Sequence, residues 1–418
     1  MKTNKSINRY IPEKVSDYIK QSDYKNKEHL IIICDMIYRV NNYKKQDIDY
    51  SNQFTDIPQN YFKDIITNPR YIKSAKDFLI DKGIIECDNI YSKIGGKALG
   101  YRFNNDYLSK LVKVVVKKPT ITKKIIKNVN EKNNAVNDKY KKYKEYFLNN
   151  FSIDYKKAIK YLDNNLFKSL EYISPSYTSS LCGVNLEQKI KIINKYNHHF
   201  MAVSAINDGE LFFRHNKTNG RIDTNLTNLK SELKQFISPK GLVQLDIVNS
   251  QPYFLSLLIP SLCGVNLEQD IIKFIDVTRK GKFYEFFQQQ YNLQTGQFID
   301  RKGIKDIMFC IFYSKNTSYK KEKRIFKMLF PNVLKIIENQ KKNKHNQLAI
   351  QMQITESKMC IDTICQELDR NNIEYFTIHD AWLVDDKNIN ETKKIIQDCF
   401  DKEYKSIPKI DITNVNKK

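Results

Sequence analysis

The chain has 418 residues, of which 41% are hydrophobic and 12% aromatic, enough for two to four domains with cores of their own. The 70 Lys and Arg side chains against 47 Asp and Glu leave a net charge of +23. That is the balance of a protein with a polyanionic partner, nucleic acid first, although an AT-rich genome inflates Lys, Asn and Ile in the same way. No apolar run approaches the roughly 18 residues that span a bilayer, which excludes a membrane-spanning helix.

Eight cysteines (Cys34, Cys87, Cys182, Cys263, Cys310, Cys360, Cys365 and Cys399) form no Cys-x-x-Cys pair and have no His at ligand spacing, which argues against a zinc site. The start, Met1-Lys2-Thr3-Asn4-Lys5-Ser6, is polar and lacks an apolar signal core, so a reducing cytoplasm and free thiols are expected.

Residues 1–27 are polar and Lys-rich, predicting at most a frayed or short helical lead. The run HLIIICDMIYRV from His29 to Val40 predicts a buried helix, and Asp56-Ile57-Pro58 opens a second through Ile66. In PRYIKSAKDFLIDKG, Ile72, Ala75, Phe78 and Leu79 share one helical face, Gly83 stops the helix, and Arg70, Lys73 and Lys76 fall outside that face. IIECDNIYS and ALGYRF, joined by Gly95-Gly96, read as a hairpin. Three helices and a hairpin resemble a winged-helix domain over residues 28–104, with Arg70, Lys73, Lys76 and Lys97 as candidate phosphate contacts; a solvated basic face is the alternative.

Between Lys110 and Lys144 stand twelve lysines against only Glu131 and Asp138, and a linker over 105–145 is expected. Residues 146–204 read as helical and aromatic. The nonapeptide SLCGVNLEQ occurs twice, at Ser180–Gln188 and Ser261–Gln269, with no ligand chemistry of its own.

Four later segments carry chemistry. Asn219-Gly220-Arg221-Ile222 is followed by Asn225-Leu226-Thr227-Asn228, a turn that presents one Arg and then two Asn. Leu242-Val243-Gln244-Leu245-Asp246 is an apolar strand ending on a carboxylate, succeeded by Ile247-Val248-Asn249-Ser250-Gln251; such an Asp can hold a metal at a sheet edge or cap a helix. Arg301, Lys305, Phe309 and Tyr313 recur every four residues. At 100° per residue they form one drifting stripe, cationic first and aromatic last, suited to a triphosphate and a stacked base or to a half-buried helix with a basic start. Finally, Glu374–Ile378 is an apolar strand leading to His379-Asp380 and a second apolar run.

In this order and spacing the segments resemble the family A polymerases, the bacterial DNA polymerase I-like enzymes and their single-subunit phage-type RNA polymerase cousins. Asn-Gly-Arg-Ile and Asn-Leu-Thr-Asn stand for the family's T-G-R-L and N-L-Q-N. Asp246–Gln251 stands for D-Y-S-Q-I-E, the Arg301–Tyr313 helix for its fingers helix, and His379-Asp380-Ala381 for its His-Asp-Glu. The resemblance covers about residues 205–400 and implies an α+β right hand of palm, compact fingers and short thumb, preceded by the winged helix. The thumb-like region would be 146–204, and palm and fingers 205–418.

By that resemblance Asp246 and Asp380 would bind two Mg²⁺ ions, with Mn²⁺ as the substitute, for nucleotidyl transfer from a dNTP to a primer 3′-hydroxyl. Arg301, Lys305, Phe309, Tyr313 and Gln251 would bind the nucleoside triphosphate. Arg221, Asn225, Asn228 and His379 would meet primer–template DNA, or RNA. Gln351–Ser357 stands loosely where the family monitors the template strand. Two departures matter: the family's sugar-discriminating Glu falls on Gln251, and Ser314 replaces a Gly. Phe309, in contrast, is the aromatic of DNA rather than RNA polymerases.

The residues before the palm leave no room for a proofreading exonuclease, so low fidelity is expected. The reading is a DNA polymerase replicating a plasmid, phage or other mobile element. The alternatives are a primase or RNA polymerase using NTPs and a non-catalytic DNA-binding replication initiator.

Overall fold

The computed structural model describes residues 6–44, 54–134, 138–171, 182–264 and 267–415. The chain falls into two units, Met1–Ala135 with Ser152–Phe212, and Val136–Phe151 with Phe213–Lys418. The first unit runs through β1 (Ile7–Pro12), α1 (Glu13–Gln21), α2 (Lys27–Lys44), β2 (Thr55–Asp56), α3 (Gln59–Lys63), α4 (Pro69–Asp81), β3 (Ile85–Cys87), β4 (Gly100–Phe103), β5 (Leu111–Val116) and α5 (Pro119–Asn134). After α6 (Lys141–Asn150), which belongs to the second unit, it resumes with β6 (Ser152–Ile153), α7 (Tyr155–Glu171) and α8 (Cys182–Asn207).

Every residue of α2 from Leu30 to Tyr38 is buried, Asp35 included, which explains an apolar run without a polar face. Helix α4 begins where the Asn68 side chain accepts from the Arg70 N–H at 2.9 Å and Pro69 occupies the first turn, and it stops before Gly83 at φ +64°. Strands β2, β4 and β3 form an antiparallel sheet in that order, with a Ser92–Lys97 bridge near the tip of the β3–β4 hairpin.

Four expectations for this unit are corrected. Among its described residues the polar lead holds a strand as well as the short helix α1: β1 pairs antiparallel with β5, Ile7 opposite Val116 and Pro12 opposite Leu111, and the stretch expected as a linker supplies that partner strand and the helix α5. That pairing joins segments distant along the chain and leaves no local periodicity in either. The helical region 146–204 is divided, because α7 and α8 count with the first unit. Asn8 and Tyr10 of β1 both donate to Asp208, at 2.8 and 2.6 Å, and Tyr10 packs edge-on against Phe200 at 5.5 Å. Lys76 turns inward and is 8% exposed. Its ammonium donates to Gln59 Oε1 and the Tyr101 hydroxyl (3.1 and 2.8 Å) and lies over the Phe62 and Tyr101 rings, so it cannot reach a phosphate.

The second unit continues with β7 (Phe213–His215), β8 (Ile222–Thr224), β9 (Ile237–Ser238), β10 (Leu242–Ile247), α9 (Ser250–Cys263), α10 (Gln269–Arg279), α11 (Phe283–Thr295), α12 (Arg301–Tyr313), α13 (Lys320–Leu329), α14 (Pro331–Gln340) and α15 (Gln347–Ser357). A π-helical stretch, Lys358–Ile364, leads to α16 (Cys365–Arg370), β11 (Tyr375–Ile378), β12 (Ala381–Asp385), α17 (Ile389–Tyr404) and β13 (Ile410–Asn414). The sheet is antiparallel in the order β11-β12-β10-β13. Helices α9 to α15 enclose an aromatic core that includes Phe274, Phe283, Phe287, Phe312, Phe326 and Phe330. Phe400 of α17 packs against Tyr253 and Phe254 of α9, at 5.7 and 6.2 Å.

The end of α12 and the residues that follow it are held by two buried lysines. Lys341 donates to the carbonyls of Ile311 and Ser314 (2.7 and 3.1 Å), and Lys323 to that of Lys315 at 2.6 Å. Cations at a helix C-terminus satisfy carbonyls that the helix leaves open. Ser314 itself is extended at φ −75°, so this position does not require the glycine that the resemblance predicts. Of the duplicated nonapeptide, positions 180, 181, 265 and 266 lie outside the described residues. From Cys182 the first copy is helical, whereas the second passes from the end of α9 through Gly264 at φ +84° into α10.

Candidate active site

Strand β10 carries Asp246 opposite Ala381 of β12 on one side and Asp411 of β13 on the other. The β11–β12 hairpin turns through His379, at φ +56°, and Asp380, and the Ile247 N–H donates to the Asp380 carbonyl at 3.4 Å. Strand pairing therefore brings Asp380 to Asp246 in space. Burial pushes both carboxyls up. Asp246 rises to about 7, with the charges of Asp380 and Asp411 adding to burial and those of Lys305 and Lys234 opposing it. Asp380 is raised by burial against the pull of Ser250, Arg221 and its hydrogen bond with Asp246.

Two carboxyl groups that repel each other are a receptive place for a hard cation. Among the described residues no group of three or more His, Cys, Asp and Glu side chains is arranged to hold a metal. Mg²⁺ does not need one, because it is commonly held by one or two carboxylates with the phosphates of a substrate. Asn249, 6% exposed and at φ +57° just before Ser250, buries both amide atoms without a partner among the described residues, so unspent polar capacity lies two residues past β10. The donor set suits a hard divalent cation.

Helix α12 opens with the Asp300 side chain accepting from the Gly303 N–H at 2.8 Å. Its stripe is formed as the spacing predicts. Arg301 and Lys305 both lie over the Tyr284 ring, 5.5 Å from its centroid, and Arg301 donates to Glu285 at 2.7 Å. Phe309, 43% exposed, stacks with Tyr313 at 5.8 Å and 23°. The electrostatic pull of Lys305 on Asp246 ties this stripe to the carboxylates.

The Asn-Gly-Arg turn seats on α15. Asn219 donates to Gln353 at 3.1 Å, and the Ser357 hydroxyl donates to the Asn219 carbonyl at 2.8 Å. Gly220 adopts φ +74°, where a Cβ would stand 3.0 Å from that of Ser357. Arg221 then donates through Nε and Nη2 to Oε1 of Glu356, at 2.8 and 2.6 Å. Gln251 donates to the other oxygen of Glu356 at 3.0 Å and accepts from the Tyr313 hydroxyl.

Of the residues singled out in the sequence, Asp246, Asp380, Arg221, Gln251, Lys305 and Tyr313 are brought together, and Arg301 and Phe309 share the α12 face. His379 is held as the neutral imidazole: burial, then the charges of Arg221 and Lys234, bring it down to about 4. Asn225, 7% exposed, is a correction, because its side chain is not presented at the surface, whereas Asn228 is exposed. Arg221 is spent on Glu356 rather than free. In the first unit Arg70 and Lys73 are exposed on α4, and Lys97 pairs with Asp88 at 3.1 Å. Sequence reasoning missed Glu356, Asp411, Lys234 and Tyr284. Only Glu356 left a signal, a carboxylate within the helical stretch Gln351–Ser357.

No protein-family model and no curated protein matches the chain. Among solved structures it is similar to the POL domain of Pol1 from M. smegmatis in complex with DNA primer-template and dNTP, at 10% identity and a TM-score of 0.47, over 70% of this chain and 72% of that one. Identity that low leaves function to be read from the side chains. Among the described residues no helix is long and apolar enough to cross a membrane.

Proposed function

We propose that the chain is a template-directed DNA polymerase, transferring a nucleotidyl group from a dNTP to a primer 3′-hydroxyl. The observation that carries this reading is the meeting of Asp246 and Asp380 at one end of the sheet, within electrostatic reach of the cationic and aromatic face of α12.

Asp246 and Asp380 would hold the divalent cations, whose chemistry when bound is to make the primer hydroxyl more acidic and to neutralise charge on the departing pyrophosphate. Arg301 and Lys305 would bind the triphosphate, both already positioned over Tyr284 rather than free in solvent. Phe309 and Tyr313 offer a ring surface for the base or sugar. The primer hydroxyl gives up its proton to solvent, and its oxygen forms a bond to the α-phosphorus as the bond to pyrophosphate breaks. Neutral His379 can accept or donate one hydrogen bond at the primer end without adding charge.

In the first unit, helices α2, α3 and α4 and the sheet β2-β4-β3, with β2 between α2 and α3 along the chain, support a winged-helix reading, with Arg70 and Lys73 of α4 as phosphate contacts. Recruitment to a plasmid, phage or mobile-element template is the role that fits. Extension of a primed DNA and a primed RNA template, with dNTPs or NTPs and with or without Mg²⁺, tests the whole reading. Mg²⁺-dependent growth of the DNA-primed strand with dNTPs is expected; no incorporation under any combination would refute it.

A further inference from the structure

Glu356 is 1% exposed near the end of α15 and makes three contacts, two from Arg221 and one from Gln251. A carboxyl that receives Arg221 at one oxygen and the Gln251 amide nitrogen at the other is held as an acceptor on both sides. The Gln251 amide must therefore turn its nitrogen to Glu356 and its oxygen away, where the Tyr313 hydroxyl donates to it. The reversed amide would set oxygen against carboxylate oxygen and lose the Tyr313 bond. Arg221, Glu356, Gln251 and Tyr313 thus form one chain of hydrogen bonds linking the Asn-Gly-Arg turn, α15, α9 and α12.

Gln251 and Tyr313 close the space between the first turn of α9 and the last turn of α12. With a triphosphate on Arg301 and Lys305 at the start of the α12 stripe, the rest of a nucleotide would extend along it past Phe309 toward Tyr313 and this closure. A 2′-hydroxyl pressed there meets an amide committed in both directions, and a hydroxyl taken from water without a partner is disfavoured. We propose that Glu356 is a positioning residue that fixes the orientation of the Gln251 amide and so sets the preference for deoxyribose over ribose. This rests on the polymerase reading above.

The test is the ratio of kcat/KM for one dNTP and its matching NTP, measured for single incorporations on one primed DNA template. Glu356→Gln should cut the ratio about tenfold or more, mainly through the KM values, with the Mg²⁺ dependence unchanged. Glu356→Asp should recover part of it. Tyr313→Phe, which removes one hydroxyl, should give a similar fall, and the double variant should be no worse than either single because both break the same chain. A merely structural role would lower activity with both sugars alike.

An unchanged ratio in Glu356→Gln, or additive losses in the double variant, overturns the proposal. If circular dichroism shows Glu356→Gln unfolded, an unchanged ratio in Tyr313→Phe does so. A wild-type protein that incorporates neither nucleotide overturns the polymerase reading and this inference with it, whereas an active wild type with insensitive variants overturns this inference alone.

Discussion

Buried carboxylates are costly one at a time, and this site has three: Asp246, Asp380 and Glu356. Glu356 is the most informative, because it has strong partners and is still pushed up to about 7 by burial and then by the charge of Asp380, against the pull of Arg221. Its folded value lies above the ordinary 4.5, so its contribution to stability is whole below about 4.5 and is lost as the pH rises through about 7. Glu356→Gln cannot titrate. In cation-free buffer the variant should therefore melt below the wild type at about pH 5, and the gap between the two should narrow by about pH 7.5. Thermal melts at both values decide; a gap that stays level or widens contradicts the assignment.

At the scale of elements, the seat of the Asn-Gly-Arg turn on α15 depends on one backbone conformation. Gly220→Ala places a Cβ at φ +74° and 3.0 Å from Ser357, and should cost about 1–2 kcal/mol in denaturant unfolding. A change near zero would mean that the turn is free of the helix. The elements closest to the chemistry were also the most legible in the sequence. The four-residue spacing of α12, the strand ending on Asp246 and the hairpin around His379-Asp380 are local patterns, and each formed where the pattern placed it. What escaped was non-local. The strand β1 reads as polar until β5 is set beside it, and Lys76 reads as an exposed cation until Gln59 and Tyr101 close over it. Glu356 stands in a recognisable helical stretch, but its partner Arg221 is 135 positions away. Periodicity reports the face a helix buries, not the polar partner brought to that face by the rest of the fold.

For the molecule as a whole, the excess of +23 is the property that solution conditions reach most easily. Binding to duplex DNA should weaken steeply with salt as condensed counterions are released. Replacing Arg70 and Lys73 together by Ala should flatten the slope of log affinity against log salt by about two, with little dependence on sequence. An unchanged slope would remove α4 from the phosphate contacts. The most direct measurement is the rate of dNTP incorporation by Asp246→Asn and Asp380→Asn at saturating primed template and Mg²⁺, with template affinity measured in parallel. Each variant should bind the template as the wild type does and incorporate more than about a hundredfold more slowly; incorporation at the wild-type rate by either would contradict the claim that these two carboxylates carry the chemistry.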